Sequence, residues 1–368
     1  MEHTIRAELT SLSGVHVPPR RWLVPVLATA AYPFLLHSYS AFAHAGSDAA
    51  VFPQRLALNL TALVLMLAAF AVPCSALDSL LRLETSNGVG MRFVRRLLHF
   101  AVSTPPLYVL AMELTAAIGI RKYSNVLWCS TWILVAAMTW RHVRATHRYE
   151  NLRKDSSIDR WIPAIRVVHG SAALTLLLVF LAAHLANHIA ALWSVEAHQS
   201  LMKLLRLWYR ATWVEPAVLG LCVAMIATGL VLVGFHTRTA VDRYRTVQTA
   251  MGAYLLAFML AHTIAVLWGR SLHIDTDWLF ASGGPAGLLL GTSYYLIPYY
   301  PLAVIAVFTH IALGLRIVML GHRIQPAVAA RAVYAVATLG AVVAVVVTAA
   351  LLDVHISRFR AALQHFLD

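Results

Sequence analysis

The stretch ALTLLLVFLAAHLANHIAALW, residues 173–193, is apolar enough to cross a bilayer, yet it carries His184 and His188. A spanning helix needs roughly 20 mostly apolar residues. Polar side chains inside hydrocarbon are costly unless something pairs with them. The fold and the function both turn on what these imidazoles meet.

The whole chain shares this character. Of its 368 residues 60% are hydrophobic and only 12% are charged, and the mean hydropathy is +0.70. That composition excludes a soluble domain and points to an all-α, polytopic integral membrane protein. Nine apolar runs are long enough to cross, at about 22–44, 55–77, 97–120, 124–140, 165–193, 213–236, 246–268, 294–320 and 327–352. The first is too long for a cleaved signal peptide, holds two prolines and lacks a clear small-residue cleavage site. Cys74, Cys129 and Cys222 fall in or beside apolar runs and form no CxxC pair, which argues against a disulfide framework or an iron–sulfur cluster.

A net charge of +13 would suggest nucleic acid in a soluble protein, but here the cations sit in loops, where they set topology, and membrane lipid is the expected neighbour. With the N-terminus in the cytoplasm, the inner segments carry 19 Lys and Arg and the outer segments nine, with Arg316 counted on neither side. The heaviest inner loop, RHVRATHRYENLRKDSSIDRWIPAIR at 141–166, holds seven. The expected arrangement is nine crossings, N-terminus in and C-terminus out. The same loop divides the chain into a four-helix front block (1–145), a basic linker (146–165) and a five-helix back block (166–368). No segment is long and polar enough for a soluble catalytic domain, and NGVG at 87–90 is too short to be a nucleotide loop.

The back block reads as a duplicated hairpin. RVVHGSAALTLLLVFLAAH and RTVQTAMGAYLLAFMLAH each run from an arginine to a histidine, over 18 residues (Arg166 to His184) and 17 residues (Arg245 to His262), and each continues to a Leu-Trp. The following helices both place a proline 13 residues before a glycine, Pro216 to Gly229 and Pro301 to Gly314. Two helical hairpins of like orientation make a four-helix bundle. The connecting loop 196–211 is amphipathic and is expected on the membrane surface.

The duplication sets His184 and His262 at one depth, roughly 25 Å from their inner arginines. Equal depth on related helices is what a shared ligand requires, and a haem held between helices takes one imidazole from each side. On the second pair of helices His310 lies 13 residues before Arg323, and Met225 lies 13 before Arg238. A thioether can ligate haem iron and raise its potential, although packing in the core is the plainer role for Met225. His188 is one turn beyond His184, suited to a propionate or surface hydrogen bond. His169, beside Arg166, is placed for a quinone or propionate contact or as an interfacial residue. Arg316 could hold an inner propionate.

At these residues the back block, about 160–352, resembles the dihaem cytochrome b membrane anchor of succinate:quinone and quinol:fumarate oxidoreductases. HGSAALTLLLVFLAAHLANHIAAL resembles that family's first helix, AFMLAHTIAVLW its third, and THIALGLR at 309–316 the His-x-x-x-Gly-x-Arg/Trp signature of its fourth. The resemblance implies one or two b haems, with an outer pair His184 and His262 and an inner pair Met225 and His310. It implies a quinone substrate, flavoprotein and iron–sulfur subunits at the cytoplasmic face, and a prokaryotic cytoplasmic membrane. The chain itself would be the non-catalytic, electron-carrying anchor. Met225 departs from the expected histidine, and the front four helices have no counterpart. A stand-alone cytochrome b and a haem-free transporter or structural membrane protein are the rival readings.

In the front block His37 and His44 lie seven apart on helix 1, and His99 lies at a different depth. Glu113 falls inside the third run, as a proton site or as a protonated carboxyl bonded between helices. STPPLY at 103–108 should kink that helix.

Overall fold

The computed structural model describes residues 20–83, 89–145, 158–238 and 241–356. Most of the basic linker (146–157), the first 19 residues of the front block, the first two residues of NGVG and the last 12 residues of the back block lie outside the described residues. Among the described residues the chain is all-helical, as the sequence predicts.

The front block opens with a helical hairpin, α1 (Arg20–Asp48) and α2 (Phe52–Arg82). The turn is held by Arg55, whose Nε and Nη2 donate to the Ala49 carbonyl at 3.0 and 2.8 Å. The third apolar run is not one helix. It forms α3 (Val89–Val102) and α4 (Thr104–Ala117), bent by 76° at Ser103. Pro105 and Pro106 cause the break. Neither has an N–H to give to the turn before it, so both sit in the first turn of a new helix. Helix α5 (Ser124–Ala145) closes the block through aromatic contacts. Trp128 Nε1 donates to the Thr29 carbonyl at 2.8 Å, and its ring meets Tyr108 edge-on at 5.3 Å.

The back block begins with α6 (Asp159–Ala190), which contains a π-helical stretch at Leu177–Leu181. Such a stretch adds a residue to one turn and leaves a carbonyl short of its usual partner. Here Tyr209 Oη donates to the Phe180 carbonyl at 3.1 Å. The amphipathic loop forms α7 (Val195–Tyr209), capped by Ser194, and packs on the last turns of α6. Then come α8 (Val214–His236), α9 (Arg243–Ser271, capped by Asp242), two short turns, α10 (Leu296–Gly321) and α11 (Pro326–Leu351).

By length and apolarity six helices are candidates to cross a membrane: α2, α6, α8, α9, α10 and α11, with a seventh if α3 and α4 count as one bent span. Helices α1 and α5, expected as crossings, form at full length but carry too many polar and aromatic side chains to join them on composition.

Helix α9 is the hub. It packs on α8 and α10 on one side and on α3 and α4 on the other. One hydrophobic core runs from Trp22 in the front block through Tyr254 in α9 to Leu351 in α11. The pair α10 and α11 approach closely at Gly340, where an added Cβ would collide with the Cβ and ring of Phe308. A Cβ-to-Cβ collision cannot be relieved by rotating a ring. Gly340→Val should therefore lower stability by about 1–3 kcal/mol, read as a fall in the detergent melting midpoint, whereas Leu339→Val, at a half-exposed neighbour, leaves it close to wild type.

Candidate functional site

Helices α6, α8, α9 and α10 surround a cavity of about 1200 Å³, with α7 across one end. This exceeds the roughly 300–1,000 Å³ of most small-ligand pockets. Its walls are mainly Leu, Val, Ala and Met, with polar groups at the two ends and at two levels between them.

At one level His184 of α6 faces His262 of α9, with ring centroids 6.1 Å apart. Each imidazole lies flat against a phenylalanine four residues earlier on its own helix. Phe180 stacks on His184 at 5.0 Å and 18°, and Phe258 on His262 at 5.3 Å and 9°. Residues four apart on a helix are neighbours, so each ring's orientation is fixed locally.

At the other level His310 of α10 faces His169 of α6, with centroids 6.2 Å apart. His310 Nδ1 lies 3.0 Å from the Gln248 carbonyl, which can only accept, so this nitrogen carries the proton. His169 Nδ1 lies 2.9 Å from Thr228 Oγ1, whose own hydrogen goes to the Ala224 carbonyl at 2.6 Å. His169 therefore also donates from Nδ1. Both imidazoles are left with a basic Nε2, the tautomer that second-shell acceptors impose on metal-bound histidine. Backbone comes close to both rings. A Cβ on Gly252 would stand 3.0 Å from His310 Cε1, and one on Gly229 would stand 3.6 Å from His169 Cε1.

Arginines line each end of the cavity, and at the end near His184 Glu215 and Asp277 line it with them. Arg166, Arg245 and His236 line the end near His169. Arg206, Arg210 and Arg270 line the end near His184, where Arg270 pairs with Glu215 and Arg206 with Asp275. His169 and His184 are 15 residues apart on α6, roughly 22 Å along the helix. The π stretch lies between them, and both reach the same cavity.

Of the residues singled out from sequence, His169, His184, His188, Met225, His262 and His310 all line this one cavity. The ring set against His310 is that of His169. Arg316 stands apart from the lining, its guanidinium 3.9 Å above the Tyr244 ring. Arg245 and His236 are in the lining.

The sequence reading missed His198. From α7 it reaches inward to the His184 end, accepting at Nε2 from Asn187 Nδ2 at 3.0 Å and lying 5.4 Å from the His188 ring. His188 in turn lies 4.8 Å from His184. The available signal was helical period: residues 198, 201, 202 and 205 make one face with Leu201, Met202 and Leu205. Burial pushes His198 down to about 4, Asp277 opposes the shift and Arg206 adds to it. A histidine whose folded value lies below its unfolded value binds more protons when released. Its contribution to the docking of α7 is complete above about pH 6.5 and is lost as pH falls towards 4. Exchange protection of α7 amides should drop over that window, and His198→Gln should flatten the dependence.

Among the described residues no three His, Cys, Asp or Glu side chains gather as a metal cluster would require. Two opposed imidazoles suit a different ligand, a planar macrocycle that brings four ligands of its own. No family model, no curated protein and no solved structure matches this chain.

Proposed function

We propose that the chain is a cytochrome b-like electron carrier of the membrane, with two haems, one between His184 and His262 and the other between His169 and His310. The observation that carries this reading is the paired spacing. An iron shared by two imidazoles sets their centroids roughly 6 Å apart, from two metal–nitrogen bonds of about 2 Å and two ring radii of about 1 Å. The two pairs stand at 6.1 and 6.2 Å.

The surroundings agree with it. The walls are apolar, as a porphyrin edge requires, and the arginines at both ends suit propionates. On this reading His169 and His310 would hold the second haem, and Met225 would be an apolar part of the cavity wall. The bound haems supply one-electron oxidation and reduction. The chain's own residues fix ring orientation through Phe180 and Phe258, fix the tautomer through Thr228 and Gln248, and neutralise the propionates.

The remaining parts of the proposal follow the resemblance to the succinate:quinone and quinol:fumarate oxidoreductase anchors. They comprise nine crossings with the N-terminus in a prokaryotic cytoplasm, a back block built on a duplicated hairpin, quinone as the redox substrate, and flavoprotein and iron–sulfur partners at the cytoplasmic face. The identical F-x-x-x-H placement at Phe180–His184 and Phe258–His262 supports the duplication.

Low-temperature electron paramagnetic resonance of the oxidised protein tests the ligand assignment. Two low-spin bis-imidazole signals are expected. His169→Met should raise one midpoint potential and leave the other, because a thioether in place of an imidazole raises haem potential. A native His/Met signature would contradict it.

A further inference from the structure

The front block holds a group of cations that the electron-carrier reading does not use. Arg92, Arg95, Arg96 and His99 all fall on α3, three or four residues apart along it, so they share one side of that helix. This side turns inward in part. Arg95 and His99 are 5% and 4% exposed, whereas Arg92 and Arg96 are half-buried. Arg96 Nε donates to Thr237 Oγ1 at 3.4 Å, across to the end of α8. Thr237 is fully buried and gives its own hydrogen to the Val233 carbonyl at 2.8 Å. Arg238 follows, bound to Asp159 at 2.6 Å. Arg92 and Arg238 both lie within electrostatic reach of Arg96.

Among the described residues neither Arg92 nor Arg96 has an ion-pair partner. Arg92 Nε is shut off from solvent and meets no acceptor. A guanidinium N–H left in that position costs free energy, and like charges this close repel. One anion with several oxygens relieves both. The side chain of Arg92 is long and only half-buried, so a small rotation offers its N–H to such a ligand. The guanidinium fork matches phosphate in particular. The neighbouring stripe of α3 indicates what the phosphate is attached to. Phe93 and Phe100, seven residues apart and so on one side of the helix, are 44% and 54% exposed. They lie three residues before and four residues after Arg96. A ligand that touches both stripes has an anionic head and an apolar body.

We propose that Arg92 and Arg96, with Phe93 and Phe100 beside them, bind an anionic phospholipid where the front block meets α8. The phosphate lies between the two guanidinium groups, and the acyl chains run along the two phenyl rings. Two guanidinium charges without ion-pair partners favour a headgroup of net negative charge, such as phosphatidylglycerol. The cation of a zwitterionic headgroup would bring a third positive charge to the same place. Because Arg96 also holds Thr237, the lipid ties α3 to α8 and strengthens the contact between the two blocks. The site does not depend on the haem reading.

The test uses the full chain in detergent, stripped of lipid, with dioleoyl phosphatidylglycerol, dioleoyl phosphatidylcholine and inorganic phosphate as separate probes. Native mass spectrometry reads lipid affinity, and a melting midpoint is taken with each probe. Phosphatidylglycerol is expected to bind about tenfold more tightly than phosphatidylcholine and to raise the midpoint. A phosphatidylglycerol with a photoactivatable diazirine in its headgroup should label the peptide holding residues 89–102. Arg92→Gln combined with Arg96→Gln should erase the preference, while Arg331→Gln, at an exposed arginine of α11, leaves it. Equal affinity for the two lipids in the unsubstituted chain, label confined to other peptides, or a preference that persists in the folded double variant would overturn the site. Inorganic phosphate raising the midpoint as far as phosphatidylglycerol does would overturn the lipid assignment. If the double variant does not fold, the preference of the unsubstituted chain and the position of the label decide alone.

Discussion

Alanine at His310 is expected to cut the haem content of the purified chain from about two per polypeptide to about one, and alanine at His169 to remove the same haem. The structure gives these two residues equivalent environments. Each has its Nδ1 proton committed to an oxygen, Gln248 O for His310 and Thr228 Oγ1 for His169, so each directs a basic Nε2 elsewhere. Their centroids stand 6.2 Å apart, and glycines 229 and 252 keep side chains away from both rings. Leucine at Met225 keeps the volume and removes the sulfur. With two imidazoles already present at that level it should leave both haems and both potentials in place, whereas ligation by Met225 would cost a haem or shift its potential downward or upward by an amount visible in a redox titration. External imidazole supplied to the His310→Ala protein should restore the lost absorbance if the variant has folded, which separates ligand loss from misfolding.

The second large effect is expected at the other level. His184→Ala and His262→Ala should each abolish the haem that survives in the His310 variant, so combining either with His310→Ala leaves none. The rings at this level gain their orientation from stacking on Phe180 and Phe258 and not from a hydrogen bond to Nδ1. Phe258→Leu should therefore retain haem but broaden its signal and loosen its binding, because the ring loses its flat support. His188 lies 4.8 Å from the His184 ring, and His198 lies 5.4 Å from His188. Substituting either should leave the haem bound and alter its potential, as expected of groups near a propionate.

Much of this site was legible before any coordinates. The depth match between His184 and His262 is a property of spacing along two like helices, and spacing of that kind survives into three dimensions. His310 was legible for the same reason. The ring that faces His310 was not. Counting residues puts Met225 at the depth of His310, with core packing as its plainer role, and the count treats every helix as regular. The π stretch at Leu177–Leu181 changes the register within α6 between His169 and His184, and it is stabilised by Tyr209, which is remote in sequence from Phe180. The direction of Arg316 was not legible either. Its distance below His310 fits a propionate, but its side chain leaves the cavity face to cover Tyr244. In the front block the prolines announced a bend, yet only packing shows that α4 lies against Ala261 and Tyr299. The loop after α6 read as a surface helix, and its amphipathic period could have shown that His198 points inward.

One spectrum bears on the central claim more directly than any substitution. The full chain, expressed with haem available and purified in detergent, is reduced with dithionite. Its difference spectrum is recorded against the oxidised form, and haem is counted per polypeptide. Two opposed imidazole pairs at 6.1 and 6.2 Å predict about two b-type haems, both low-spin. A folded sample with no haem would contradict the account and turn attention to a haem-free transporter or scaffold.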